Sequence, residues 1–91
     1  MITVDTTFRD RYGLHPRAAM RIQQTVAGYR SKVTIEGLDT DTAPISAGTM
    51  IGLVSAGIRN GERIRVAADG PDEADALEAV RSLLEAGVCH P

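Results

Sequence analysis

Cysteine is almost absent from this 91-residue chain: Cys89 stands alone near the C-terminus, so no disulfide can form within it. With its neighbour His90 it makes only a two-residue pair, too few ligands for a metal site. Aromatic residues are equally scarce. Phe8, Tyr12 and Tyr29 are the only three, and the net charge is −2, so the chain has neither the stacking platforms nor the basic surplus expected of a nucleic-acid binder. No apolar run is long enough to span a bilayer and nothing resembles a secretory signal, which makes membrane insertion unexpected and the expected location cytoplasmic. The length admits one small domain, residues 1–91, with one core.

What the chain does have is unevenly placed. Residues 1–35 carry six bases against two acids, a charge of +4, and residues 36–91 carry four against ten, a charge of −6, which together give −2. The basic part contains Gly13-Leu14-His15-Pro16-Arg17-Ala18-Ala19, where a loop is predicted to become a helix. Pro16 suits the first helical position, because its φ is already helical and the N–H it lacks would find no intrahelical acceptor there. His15 is then the capping residue. An imidazole in that place can take a phosphoryl group on a ring nitrogen, with the open amides and the positive end of the helix dipole receiving the anion. Arg17 adds a planar guanidinium suited to phosphate oxygens. The same stretch also fits a plain capping histidine on a surface loop, and by itself does not separate the two. The bases around His15 would draw an acidic protein surface or an anionic ligand toward it, whereas Arg30 and Lys32 lie a full helix away.

Periodicity supplies the framework. Ile2, Val4, Thr6 and Phe8 alternate with Thr3, Asp5 and Thr7, as in a strand with one face on a core. Arg9 to Leu14 form a loop in which Tyr12 is a packing residue. Ala19, Ile22, Val26 and Tyr29 recur at helical spacing, and Gly28 closes that helix. Val33 and Ile35 mark a second strand, after which Gly37 starts a turn. From Leu38 to Gly48 the residues are turn-like, and Pro44 confines a third strand to a sheet edge or bulge. Thr49 caps a short apolar helix from Met50 to Ala56, which Gly57 stops. Its Met50, Ile51, Leu53 and Val54 are nearly continuous, so some should pack on the sheet and others form an exposed apolar patch. Ile64, Val66 and Ala68 share one face of a fourth strand. Asp69-Gly70-Pro71 then leads into a last helix with Asp72, Glu73 and Asp75 at its positive end, a buried stripe of Ala74 or Ala76, Leu77, Val80 and Leu84, and a stop at Gly87. The order is βαββαβα. This is an α+β fold, a four-stranded antiparallel sheet with three helices on one face.

These residues resemble those of HPr, the histidine-containing phosphocarrier family of the bacterial phosphoenolpyruvate-dependent sugar phosphotransferase system. Gly13, Leu14, His15, Arg17 and Ala19 stand where that family has Gly-Leu/Ile-His-Ala-Arg-Pro-Ala. Thr49-Met50-Ile51-Gly52 is similar to its Ser-Ile-Met-Gly, and Gly70-Pro71-Asp72-Glu73-Ala74-Asp75-Ala76-Leu77 to its Gly-x-Asp-Glu-x-x-Ala-Leu. The three blocks come in the family order and cover nearly the entire chain. The resemblance implies an HPr-like open-faced β-sandwich and a carrier that is not itself an enzyme. It implies that His15 accepts a phosphoryl group from enzyme I, that Arg17 contacts the phosphate, and that Met50, Ile51 and Val54 dock partners such as sugar-specific permease components. No cofactor is expected on this chain, because magnesium and phosphoenolpyruvate act at enzyme I, and a monomer is expected. The alternative is an HPr-like regulatory module that uses the same surface to bind a kinase, a transcription factor or a metabolic enzyme, with no general role in sugar transport.

Two departures from the family bear on function. His15-Pro16-Arg17-Ala18 stands where the usual order is His-Ala-Arg-Pro, so Pro16 removes an N–H near the phosphoryl position and Ala18 returns one. The exchange is expected to alter the lability of phosphorylated His15. Thr49, preceded by Gly48, stands where many Gram-positive relatives carry a serine phosphorylated by a dedicated kinase, and a helix cap accounts for it without one. Ser46 reads as a loop residue. Neither hydroxyl has a neighbouring base to make it a nucleophile.

Overall fold

Alternation of apolar and polar residues decides the sheet. The computed structural model describes residues 1–10, 13–39, 44–48, 50–55 and 57–86, with Met50, Ile51, Ser55 and Ala86 described for the backbone alone. The strands are β1 (Ile2–Thr7), β2 (Lys32–Gly37), β3 (Ile45–Ser46) and β4 (Arg63–Asp69); the helices are α1 (Pro16–Ala27), α2 (Met50–Ser55) and α3 (Glu73–Ala86). This is the predicted βαββαβα order, folded as one sheet in the order β1-β4-β2-β3 with every neighbouring pair antiparallel. In β4, Ile64, Val66 and Ala68 are fully buried while Arg63 and Arg65 are exposed, so the helices cover one face and leave the other open. Val66 stands opposite Val4 on one side and Ile35 on the other, which carries an apolar row across three strands.

Each helix adds its own stripe to this core. Helix α1 buries Ala18, Ala19, Ile22 and Val26. Tyr29, expected to extend that stripe, lies outside the helix: the Gly28 cap N–H bonds back to Thr25 and Val26, and Tyr29 packs half-buried from the turn that follows. In α3 the alternatives resolve, with Ala76, Val80 and Leu84 fully buried, Leu77 half-buried and Ala74 exposed. Leu53 of α2 is also fully buried.

Two boundaries differ from the sequence expectation. Gly37 does not start a turn; it is the last residue of β2, paired with Ile64, because the ladder to the longer β4 continues to it. Ser46 is not in a loop but in β3, opposite Thr34, where its Oγ accepts the Gly48 N–H at 3.3 Å. Strand β3 is the edge strand, and Pro44 precedes it directly, where no ladder donor is needed. Tyr12, Thr49, Gly87, Cys89 and His90 lie outside the described residues.

The acidic start of α3 does more than meet the helix dipole. The Asp72 carbonyl accepts the Ala76 N–H, and its carboxylate accepts the Arg30 and Ser31 N–H groups at 2.9 Å and the Ser31 hydroxyl at 2.5 Å. The Ser31 hydroxyl, then the Arg30 amide, hold the Asp72 carboxyl below the usual carboxylate range. The turn that allows this approach needs Gly70, since a Cβ there would come within 2.6 Å of Ser31 Cα.

Candidate functional site

The loop before α1 is shaped by a glycine. Gly13 has φ +75°, and a Cβ on it would meet the Ile58 carbonyl oxygen at 3.0 Å. Its N–H donates to the Asp10 carbonyl at 2.9 Å, and the next amide, of Leu14, reaches the Ile58 carbonyl at 2.9 Å. His15 follows in extended conformation, φ −94° and ψ 173°, and Pro16 takes the first helical position, as its fixed φ predicts.

His15 is the N-cap through its backbone alone. Its carbonyl accepts the Ala19 N–H at 2.9 Å, while its side chain makes no capping bond. The ring takes no part in capping the helix. Its Nε2 is buried, 3.7 Å from Asp10 Oδ1, although the side chain as a whole is 24% exposed. Because the first intrahelical bond comes from Ala19, the amides of Arg17 and Ala18 have no intrahelical acceptor and form the positive end of the helix, and Pro16 contributes no N–H. Arg17 is exposed on this first turn. An anion bonded to the imidazole would meet two backbone donors and a guanidinium.

The loop carrying these groups is held from far along the chain. Phe8 and Gly61 exchange backbone contacts with this region, Phe8 N–H to Glu62 O at 2.9 Å and Gly61 N–H to Phe8 O at 2.8 Å. The Arg9 N–H reaches Leu84 O at 3.2 Å, and the Asp10 N–H reaches Asn60 Oδ1 at 3.0 Å. Sequence reasoning missed Asp10 and Asn60 as parts of the site. Asp10 had only its charge to mark it, and Asn60 lay in a turn with no motif.

Of the expected docking residues, Val54 is half-buried and packs against the core, while the side chains of Met50 and Ile51 lie outside the described residues. Helix α2 packs against α1, and Gln23 Nε2 donates to Gly48 O at 3.1 Å just ahead of it. Met20, which the sequence reading passed over, is 44% exposed on the α1 face that also carries Arg17 and Arg21. Its position off the Ala19–Ile22–Val26 stripe was the available signal. Among the described residues no group of three or more His, Cys, Asp or Glu side chains could hold a metal ion, and no helix is long and apolar enough to cross a membrane.

Known proteins share both the sequence and the fold. The family described as the PTS HPr component phosphorylation site matches residues 2–86. The phosphocarrier protein HPr of Xylella fastidiosa (strain Temecula1) is 32% identical over 85 residues, covering 93% of this chain and 92% of the relative. The multiphosphoryl transfer protein of Salmonella typhimurium is 27% identical over 88 residues, 97% of this chain but 23% of the relative, so the chain spans about a quarter of that protein's length. Among solved structures, HPr-C-His from Thermoanaerobacter tengcongensis superposes with a TM-score of 0.85 at 29% identity, covering 94% of this chain and 93% of that one. With its fold, its glycine-shaped loop and its histidine at the head of α1, the chain belongs to the HPr phosphocarrier family of the phosphotransferase system.

Proposed function

We propose that this protein carries a phosphoryl group on His15, taking it from phosphorylated enzyme I and handing it to a sugar-specific permease component, as a cytoplasmic monomer. The observation that carries this reading is the position of the His15 ring at the head of α1, where its carbonyl, and not its ring, caps the helix beside the open amides of Arg17 and Ala18. With Nε2 buried against Asp10, Nδ1 is the nitrogen assigned as acceptor. Its lone pair attacks phosphorus, an N–P bond forms, and the bond to the donor breaks with its electron pair leaving on the donor. The amides of Arg17 and Ala18 and the Arg17 guanidinium receive the phosphoryl oxygens. Pro16 withholds one donor from this group and Ala18 supplies one, which sets the strength of the cradle differently from a His-Ala-Arg-Pro sequence.

Partners are expected to dock over α1 and α2, using Arg17, Met20 and Val54 among the described side chains, with Met50 and Ile51 from the same short helix. Ser46 is a poor candidate for regulatory phosphorylation, because the residue is half-buried in β3 and its Oγ accepts the Gly48 N–H. Intact-mass measurement after incubation with phosphoenolpyruvate, magnesium and enzyme I tests the carrier role. One acid-labile phosphoryl group on the native chain and none on His15→Ala is the expected result. No transfer to a folded native chain, with partner binding that survives His15→Ala, would instead support a regulatory module.

A further inference from the structure

Asp10 is the charged group at this site that lies outside the Gly13–Ala19 motif. Carboxylates in loops ordinarily reach water, yet the Asp10 side chain is only 4% exposed and faces His15 Nε2 at 3.7 Å. Its backbone is fixed on both sides, the N–H donating to Asn60 Oδ1 at 3.0 Å and the carbonyl accepting the Gly13 N–H at 2.9 Å. A buried carboxylate beside one nitrogen of an imidazole favours the tautomer that carries the proton on that nitrogen. We propose that Asp10 is a positioning residue for the phosphoryl relay, keeping the proton on Nε2 so that Nδ1 presents its lone pair to the donor. This rests on the reading of His15 as the acceptor.

The separation of 3.7 Å is too long for a direct hydrogen bond and short for a charge contact. Such contacts tighten as charge develops on the ring. When Nδ1 bonds to phosphorus and Nε2 keeps its proton, the ring becomes an imidazolium, and its new positive charge lies beside a fixed carboxylate. On onward transfer the N–P bond breaks with its electron pair returning to Nδ1. Because Nε2 is still protonated, the ring departs as neutral imidazole and not as an imidazolate anion. The same contact thus serves acceptance and donation.

Potassium phosphoramidate tests this without a partner protein, since it transfers its phosphoryl group as its own P–N bond breaks and ammonia leaves. The native chain, Asp10→Asn and Asp10→Ala are compared by intact mass, with folding checked by circular dichroism and the Nε2–H resonance of His15 followed by NMR. Asp10→Ala is expected to slow phosphorylation about tenfold, the effect of losing one charged contact, and to lose the Nε2–H signal to solvent exchange. Asp10→Asn keeps an acceptor of the same shape without the charge and is expected to fall between the two on both measurements. Equal rates and an unchanged ring signal in all three would overturn the role of Asp10 while leaving the carrier reading intact. A native chain that accepts no phosphoryl from phosphoramidate or from enzyme I would overturn the carrier reading, and this role with it.

Discussion

Along the open face of the sheet Arg63 is paired with Asp39 at 2.9 Å and Arg65 with Asp5 at 2.7 Å, and on α3 Arg81 is held by Glu78 and Glu85. At the head of α1, by contrast, Arg17 and Arg21 are exposed and hold no ion pair among the described residues. The paired acids all titrate below their usual range. The Arg65 side-chain bond does this for Asp5, the Arg63 backbone N–H and then its guanidinium for Asp39, and the Arg81 guanidinium for Glu78. Asp5 and Arg65 are also directly opposite in the β1–β4 ladder, so the pair helps to fix register. One set of arginines is neutralised within the fold. The other keeps its charge for an anion or an acidic surface arriving from outside.

That contrast can be broken from beneath or probed at either end. The largest expected effect is on the platform itself: Ile22→Ala removes a fully buried side chain of α1 and should cost about 2–5 kcal/mol in denaturant unfolding. A loss below half a kcal/mol would mean that α1 is not seated on the core as described. Next comes Arg17→Ala, which should slow phosphoryl transfer about 10- to 100-fold while leaving the melting temperature almost unchanged. Raising the salt concentration should shrink the difference in encounter rate. A variant that instead melted early with normal transfer would place Arg17 among the structural arginines.

Smaller effects belong to the paired groups. Because the folded Asp72 carboxyl titrates below its ordinary value, the stability it adds is complete above pH about 4 and disappears as pH falls through the folded value. Asp72→Asn should therefore melt a few degrees below the native chain near neutrality, and the gap should close on acidification. An equal gap at both ends of the titration would rule out the carboxylate as its source. Arg65→Ala is expected to do least, with unchanged transfer and a melting temperature within a degree or two of native, as befits an exposed pair. Any slowing of transfer there would blur the distinction between the two sets.

Much of this was readable from residue order, and the misses are instructive. The alternation in β1 and β4, the α1 stripe and the Pro16 start each depend on neighbours a few positions apart, and each stood where expected. Tyr29 fell outside its helix because helical spacing continues on paper past a glycine that ends the real helix. Gly37 stayed in β2 because a partner strand, and not local turn preference, decides where a ladder stops. The places of His15 and Arg17 at the start of α1 were legible for the same reason as the helix, since a loop-to-helix junction is a local event. Asp10 was not: its importance comes from burial against the His15 ring, which no spacing along the chain expresses.

By itself, then, the sequence determined the order of elements, the faces they bury and the histidine at the head of α1, because periodicity and capping act within one or two turns of chain. Tertiary structure alone decided how that histidine is held. The Asn60 side chain grips the Asp10 amide from fifty residues away, Ile58 and Glu62 take the amides of Leu14 and Phe8, and Leu84 takes that of Arg9. Loop backbone must find acceptors once it is covered, and which acceptors it finds depends on which remote segments the sheet brings alongside.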